Sequence, residues 1–413
     1  MKTRLARTGT ILVGWAALAL AGCVTTDERP IAPVVAQKAR AEIPQDELLD
    51  VGVRLFDPNV PASEEAQEKQ GVFPEVRNAE SRYMATLLRD TLEGTGQWGQ
   101  VRVLPRDGDG MDVLVDGRIL RSDGKYLELE MKATDATGRV LLAKAYEARA
   151  DQRAYKDVPN RPRDPFDNVY NTFANDLLAA RDQLTREQKV QVHQVNNLRF
   201  AAALAPYAFS AYLARDRQGR YQPVRLPSAE DPVVQRMERI RERDYALIDT
   251  LNEYYSSFGQ SMDEAYTNWR KYSHEEIEQV EEAKRKALTR QVLGAAAVVA
   301  GIMVDQSGGS QSSVESAATA AAVIGGIYAF KSGLDMRSEI KMHAESLKQL
   351  GQSFQGEVQP IVVDIEGRTL QLKGSAEDQY AEWRQLLKEL YENETGLPAS
   401  AAATPATPVA GQR

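Results

Sequence analysis

The sequence predicts an α+β protein with an N-terminal α/β domain, a mainly helical region and a small β-hairpin–helix module. Residues 47–150 alternate apolar and polar side chains in short runs separated by glycine turns, which is typical of β-strands. Residues 231–291 repeat apolar side chains every three or four positions, which predicts a long helix. Residues 292–330 contain two uncharged, small-residue-rich segments, which predict an apolar helical hairpin in the helical region.

Composition excludes several classes of function. The chain has 413 residues, a formal net charge of −8, three histidines and one cysteine. An acidic balance argues against a broad nucleic-acid-binding surface, which needs a basic face. One cysteine allows neither an internal disulfide nor a thiolate metal cluster, and the histidines lie far apart in sequence. We therefore predict no metal site and no nucleic-acid partner.

Residues 1–22 have the layout of a secretory signal peptide. Three cations precede an uncharged stretch over 11–21, which is too short and wrongly flanked for a stable membrane span. The stretch ends in Leu20-Ala21-Gly22-Cys23, and Cys23 is the one cysteine of the chain. This ending resembles the lipobox of bacterial lipoproteins.

The lipobox resemblance implies a chemical fate for Cys23. Its thiol receives a diacylglyceryl group, cleavage falls between Gly22 and Cys23, and the new amine is acylated. No cofactor other than these acyl groups is expected. Val24 stands where enterobacterial lipoproteins retained at the inner membrane carry aspartate, so the resemblance implies lipid anchoring in the outer membrane, with the chain mostly periplasmic. The alternative is an ordinary signal peptide or a membrane anchor with a chance cysteine.

The next two segments are a tether and a domain. Residues 23–46 are polar and contain prolines, which predicts a tether after the acylated N-terminus. Residues 47–150 predict a strand, a helix over 78–92, a second strand near 101–103 and a three-strand meander. Turns that contain glycine separate the strands of the meander at 122–124 and 135–138.

This domain also carries a resemblance, which covers about a quarter of the chain. Its motifs are Asp112-Val113-Leu114-Val115-Asp116-Gly117-Arg118 at the first meander strand and Asp135-Ala136-Thr137-Gly138-Arg139 at the last turn. Both resemble the periplasmic α/β domain shared by the curli-secretion lipoprotein CsgG, the peptidoglycan-synthase activator LpoB and the N-terminal domain of TolB. The resemblance implies a protein-binding or oligomerising domain rather than an enzyme.

Residues 151–165 are polar and rich in proline, which predicts a linker before the helical region 166–358. Within that region a long helix opens at Asp231 with Pro232 as its first residue, a favoured position. Its apolar seam predicts a coiled coil or a helical bundle. The seam consists of Ile248, Leu251, Tyr255, Phe258, Met262, Ala265, Trp269 and Tyr272.

The apolar hairpin 292–330 has small residues at helix-packing spacing. The candidate packing positions are Gly294, Gly301, Ala321, Gly325, Gly326 and Ala329. Each arm has an uncharged core of only 13 or 14 residues, whereas a full membrane span needs about 20. One interpretation is a helical hairpin buried in the bundle or in an interface of a homo-oligomer. The other is a membrane-inserted hairpin, repeated around a ring that lines a pore.

The C-terminal part predicts a small module and a tail. Residues 359–396 alternate apolar side chains in two short runs and continue into a helix that Ser375 and Asp378 cap. Residues 397–413 are rich in alanine, proline and threonine, which predicts a disordered tail.

No phosphate loop, nucleophile elbow or zinc motif occurs in the sequence, so we predict no catalytic residue and no enzyme. The first functional hypothesis is an outer-membrane lipoprotein that acts as a periplasmic scaffold or regulator for an envelope protein partner. The second is a subunit of an oligomeric export channel that uses hairpin 292–330. An envelope hydrolase is a third class with no motif in its favour.

Overall fold

The computed structural model confirms the α+β class and describes residues 32–150, 154–155, 164–304, 342, 345–346, 348–349, 361–365 and 368–395. Before residue 150 the described chain contains a short 3-10 helix, Gln45–Glu47, followed by five strands and two α-helices. Their bounds are β1 Val51–Arg54, α1 Glu64–Gln70, α2 Pro74–Glu93, β2 Val101–Leu104, β3 Val113–Ser122, β4 Tyr126–Asp135 and β5 Val140–Arg149.

The remaining described elements are mostly helical. They are α3 Asp167–Arg181, α4 Arg186–Leu204, α5 Pro206–Phe209, β6 Leu213–Arg215, β7 Tyr221–Pro223, α6 Pro232–Val304, β8 Ile361–Ile365, β9 Arg368–Leu372 and α7 Ala376–Thr395. Thr185 begins α4 with a capping box, because its hydroxyl accepts from the backbone N–H of Gln188 and the Gln188 side chain returns to the Thr185 N–H.

Five strands form one mixed sheet in the order β2-β1-β3-β4-β5. Strand β1 lies parallel to both β2 and β3. Helix α2 makes the crossover that the parallel pair of β1 and β2 requires. Strands β3, β4 and β5 are antiparallel neighbours, as the predicted meander requires.

One face of this sheet is packed and the other is exposed along the meander. Side chains on the packed face of β3 and β4 are fully buried, whereas their neighbours in sequence are mostly half-buried or exposed. The buried set is Val113, Val115, Ile119, Leu127, Leu129, Met131 and Ala133. Helix α2 packs on the central strands and α3 packs on β5, where the rings of Phe173 and Tyr146 meet edge to face at 5.6 Å.

Helix α6 has 73 residues and therefore spans roughly 110 Å. It begins at Pro232, as predicted, but runs without a break through residues 292–304, the first arm of the predicted hairpin. Its seam packs against the rest of the protein: Ile248, Leu251 and Tyr255 join the main core, and Met262 and Trp269 join a second cluster with α2.

The C-terminal module folds as a β-hairpin followed by a helix. Strands β8 and β9 pair in antiparallel register. The Ser375 hydroxyl accepts from the Asp378 N–H at 3.1 Å, and the Asp378 carboxylate accepts from the Ser375 N–H, so the expected cap of α7 is present. The module contacts α6 through Asp244, a buried carboxylate that accepts from the Trp383 indole N–H at 3.1 Å.

Candidate functional site

Several of the predicted site residues lie outside the described residues. Those positions are Gly22, Cys23, Ala321, Gly325, Gly326 and Ala329. Gly294 and Gly301 lie in the last part of α6. Acylation at Cys23 and helix packing across the hairpin therefore stay predictions. The described residues add polar contacts that fix α6 to the sheet and to α2, and others that fix the N-terminal segment to α3.

The first attachment of α6 covers the β2 edge of the sheet. The side-chain amide of Asn252 donates to the Val103 carbonyl at 2.9 Å and accepts from the Val103 N–H at 2.7 Å. It satisfies the backbone of the edge strand as a neighbouring strand would. One turn earlier, Asp249 accepts two hydrogen bonds from the Arg102 guanidinium, at 2.6 and 3.1 Å.

The second attachment is a buried polar cluster between α6, α2 and the chain just before α3. Arg270 and Asp164 form an ion pair at 2.7 Å, and their side chains are only 2% and 1% exposed. Nearby, the fully buried Glu80 carboxylate accepts from Tyr266 at 2.7 Å and from Ser122 at 2.5 Å. Burial raises the pKa of Glu80 above its ordinary value.

The third attachment joins α6 to the turn between β3 and β4. Gly124 has a φ of +79°, and a Cβ there would lie 2.2 Å from the Arg270 carbonyl oxygen, so the turn packs directly on the helix backbone. Lys125 extends along α6 with its side chain 1% exposed. Its ammonium group forms ion pairs with Glu278 and, at 2.7 Å, with Glu281.

A ladder of three asparagines on α3 holds residues 34–37, which lie in the predicted tether. Asn168, Asn171 and Asn175 are spaced by three and four residues, so they share one face of the helix. Asn168 accepts from the Val34 N–H at 2.7 Å, and Asn171 donates to the Val34 carbonyl at 2.9 Å. Asn175 donates to the Val35 carbonyl at 3.0 Å and accepts from the Gln37 N–H at 2.8 Å. We call this set the asparagine ladder.

A groove of about 620 Å³ crosses the exposed face of the sheet. Its lining carries five cationic and three anionic side chains, although the whole chain has a net charge of −8. The cations are Arg54, Arg106, Arg118, Lys132 and Lys144, and the anions are Asp57, Asp116 and Glu130. Arg54 pairs with Asp116 at 3.0 Å. Arg106 and Lys132 are exposed and form no ion pair within the described part of the chain.

A carboxylate–histidine cluster lies where β1 and β3 begin. The buried Asp112 carboxylate accepts from His193 Nδ1 at 2.9 Å, from Asn196 at 2.9 Å and from the Asp50 N–H at 2.8 Å. Burial lowers the pKa of His193, but the hydrogen bond to Asp112 and the charges of Asp112 and Asp50 outweigh it and raise that pKa overall. Burial and the charge of Asp112 raise the pKa of Asp50.

This cluster holds α4 on the sheet, and its geometry does not assemble a nucleophilic site. The second ring nitrogen of His193, Nε2, is buried and has no hydrogen-bond partner among the described residues. A catalytic triad needs a nucleophilic hydroxyl or thiol that hydrogen-bonds to that ring nitrogen. The described ranges also contain no group of three or more His, Cys, Asp or Glu side chains arranged to bind a metal ion.

Sequence reasoning did not identify the asparagine ladder, the groove or the contacts of Asn252. The spacing of Asn168, Asn171 and Asn175 was a signal for the ladder, but polar residues at helical spacing are also typical of a solvated face.

None of the helices that the structure describes combines the length and apolarity needed to cross a membrane. Comparison of the chain with protein-family models, curated proteins and solved structures found no match.

Proposed function

We propose that this chain is an outer-membrane lipoprotein, anchored through Cys23, that acts in the periplasm as a non-catalytic scaffold for an envelope complex. The observation that carries the proposal is the triple attachment of α6 to the sheet, followed by a further 23 residues of the same helix beyond Glu281. Those residues span roughly 35 Å. A helix fixed in this way is a strut with a defined direction, which a scaffold needs and a solvent-exposed loop could not supply.

The groove on the exposed sheet face is the proposed partner surface. Its lining carries five cations and three anions, although Lys144 is already paired with Asp176 of α3 at 2.9 Å. Arg106 and Lys132 form no ion pair in the described part of the chain. An acidic segment of a partner would pair with these cations without first displacing an internal ion pair. Complementary charge of this kind sets partner choice and association rate more than affinity.

A subunit of an oligomeric export channel is the second candidate. The observation in its favour is the continuity of α6 with the uncharged segment 292–304, which contains Gly294 and Gly301. A long helix that delivers a small-residue segment to neighbouring copies could line a ring. This candidate requires residues 292–330 to hold copies together, whereas the scaffold does not.

Two measurements test the proposal on the full-length protein. Membrane fractionation of wild type and Cys23→Ser tests the anchor: the scaffold predicts membrane-bound wild type and a released, soluble variant. Light scattering of the detergent-extracted, acylated protein then compares wild type with a deletion of 292–330. The scaffold predicts a monomer or dimer that the deletion leaves unchanged.

The outcomes separate the two candidates. A large oligomer that dissociates on deletion of 292–330 would overturn the scaffold in favour of the channel. An unacylated protein that stays in the membrane would do the same. Deletion of the predicted tail 397–413 is the control, and circular dichroism of each variant checks that the helices remain folded.

A further inference from the structure

The asparagine ladder fixes the chain close to its proposed lipid anchor. Val34 is the first residue that the ladder holds, and it lies eleven residues after Cys23. Eleven residues span at most about 40 Å even when fully extended. The predicted tether to residue 46 would span up to about 80 Å.

The contacts of the ladder are directed at the backbone of residues 34–37. Four side-chain hydrogen bonds bind the N–H and carbonyl groups of Val34, Val35 and Gln37, and none of them depends on a side chain of the bound segment. A backbone hydrogen bond from Ala39 to the Thr95 carbonyl, at 2.8 Å, extends the contact toward the end of α2. Several hydrogen bonds on one segment order it against the entropy of a free chain.

We propose that the asparagine ladder sets how far the folded body stands from the membrane, because it leaves only the residues between Cys23 and Val34 to span that distance. The inference rests on the proposed function, because it needs the acyl chains on Cys23. With the ladder closed, α3 stays within about 40 Å of the anchor. With the ladder open, Ala39 is the next residue that a hydrogen bond holds, and the sixteen residues from Cys23 to Ala39 reach at most about 60 Å.

The donor and acceptor roles in the ladder make an isosteric test possible. Asn171 donates to the Val34 carbonyl. In Asn171→Asp a charged carboxylate oxygen replaces this donor, and it repels the Val34 carbonyl oxygen. Asn168 accepts from the Val34 N–H, so Asn168→Asp keeps the oxygen that makes this contact. Asn168 is also in the first turn of α3, where a negative charge favours the helix dipole.

Amide hydrogen exchange measures the ladder directly. We expect exchange at Val34 and Gln37 to accelerate about tenfold or more in Asn171→Asp, because the segment loses a hydrogen bond and gains a repulsion. Asn168→Asp should accelerate exchange at Val34 less than Asn171→Asp does, because it keeps the acceptor of the Val34 N–H. Gln183→Ala, an exposed position just beyond α3, is the matched control.

Energy transfer then measures the distance from the membrane. In the acylated protein the Cys23 sulfur is a thioether, so a cysteine introduced at the exposed position Glu389→Cys is the one free thiol for a donor dye. The acceptor is a headgroup dye in vesicles of phosphatidylethanolamine and phosphatidylglycerol. We expect Asn171→Asp to shift the donor–acceptor distances to longer values and to broaden them, and Gln183→Ala to leave them unchanged.

The results identify which idea fails. Unchanged distances in Asn171→Asp, with exchange at Val34 accelerated, would overturn the role of the ladder while the anchor stands. Unaccelerated exchange in Asn171→Asp would overturn the ladder itself. A wild-type protein that carries no acyl groups and does not bind the vesicles would overturn the proposed function, and this inference with it.

Discussion

At the scale of single residues, the ion pair between Arg270 and Asp164 is the most deeply buried charge contact between α6 and the rest of the described chain. Replacing both partners of a buried ion pair by apolar side chains changes the stability little. Removing only one partner costs much more, because it leaves the other charge buried without compensation. Arg270 also lies 4.2 Å from the Tyr266 ring centroid, so its guanidinium has an aromatic face on one side.

We expect Arg270→Met to lower the free energy of unfolding by about 3–5 kcal/mol, because the Asp164 carboxylate stays buried without its cation. Urea unfolding followed by circular dichroism measures the change. The double variant with Asp164→Asn should lose less than Arg270→Met alone, since it removes the stranded charge while an oxygen remains for the Phe166 N–H. A double variant that is less stable than both single variants would contradict this account.

His193 makes a pH-dependent contribution. Its folded-state pKa is raised, so the folded protein holds the imidazole proton more tightly than the unfolded chain does. The stabilisation is complete below the ordinary histidine pKa of about 6.5 and is lost as pH rises through the folded-state pKa. Asp112 and Asp50 favour the proton, and Arg241 opposes it.

We therefore expect the stability advantage of wild type over His193→Gln to shrink between pH 6 and pH 8. Glutamine keeps a donor for Asp112 but does not titrate. Urea midpoints of both proteins at the two pH values measure the effect. An advantage that stays constant or grows with pH would show that protonation of His193 does not hold α4 on the sheet.

At the scale of elements, α6 replaces a missing strand at the β2 edge. Asn252 is 7% exposed and supplies both a donor and an acceptor to Val103, so the edge strand has no open backbone pair at that position. A helix that packed by apolar contacts alone would leave these backbone groups buried and unsatisfied.

We expect Asn252→Ala to lower the free energy of unfolding by about 1–3 kcal/mol, because the N–H and carbonyl of Val103 lose their partners together. Hydrogen exchange at the Val103 amide should accelerate in the same variant. Glu253→Ala, the exposed neighbour on α6, should stay within about 0.5 kcal/mol of wild type. Equal effects of the two substitutions would contradict the edge-capping role.

At the scale of the whole molecule, local sequence patterns predict helices and strands but do not predict most of the tertiary contacts between them. The meander, the start of α6 at Pro232 and the Ser375–Asp378 cap were predictable because each depends on residues a few positions apart. Arg270 and Asp164 are separated by 106 positions, and Asp164 lies in the segment predicted as a linker. The residues around Asp164 do not indicate that its carboxylate is buried, because its partner Arg270 is distant in sequence and comes close only when the chain folds.

The capped β2 edge also limits how the protein can polymerise. Growth of a continuous intermolecular β-sheet needs two available edges on every molecule, one to receive a strand and one to offer it. The Asn252 amide occupies the outward-facing N–H and carbonyl of Val103, so β2 cannot receive a strand of another copy at that position. One polar side chain of a helix therefore protects this edge of the sheet against extension by a second molecule.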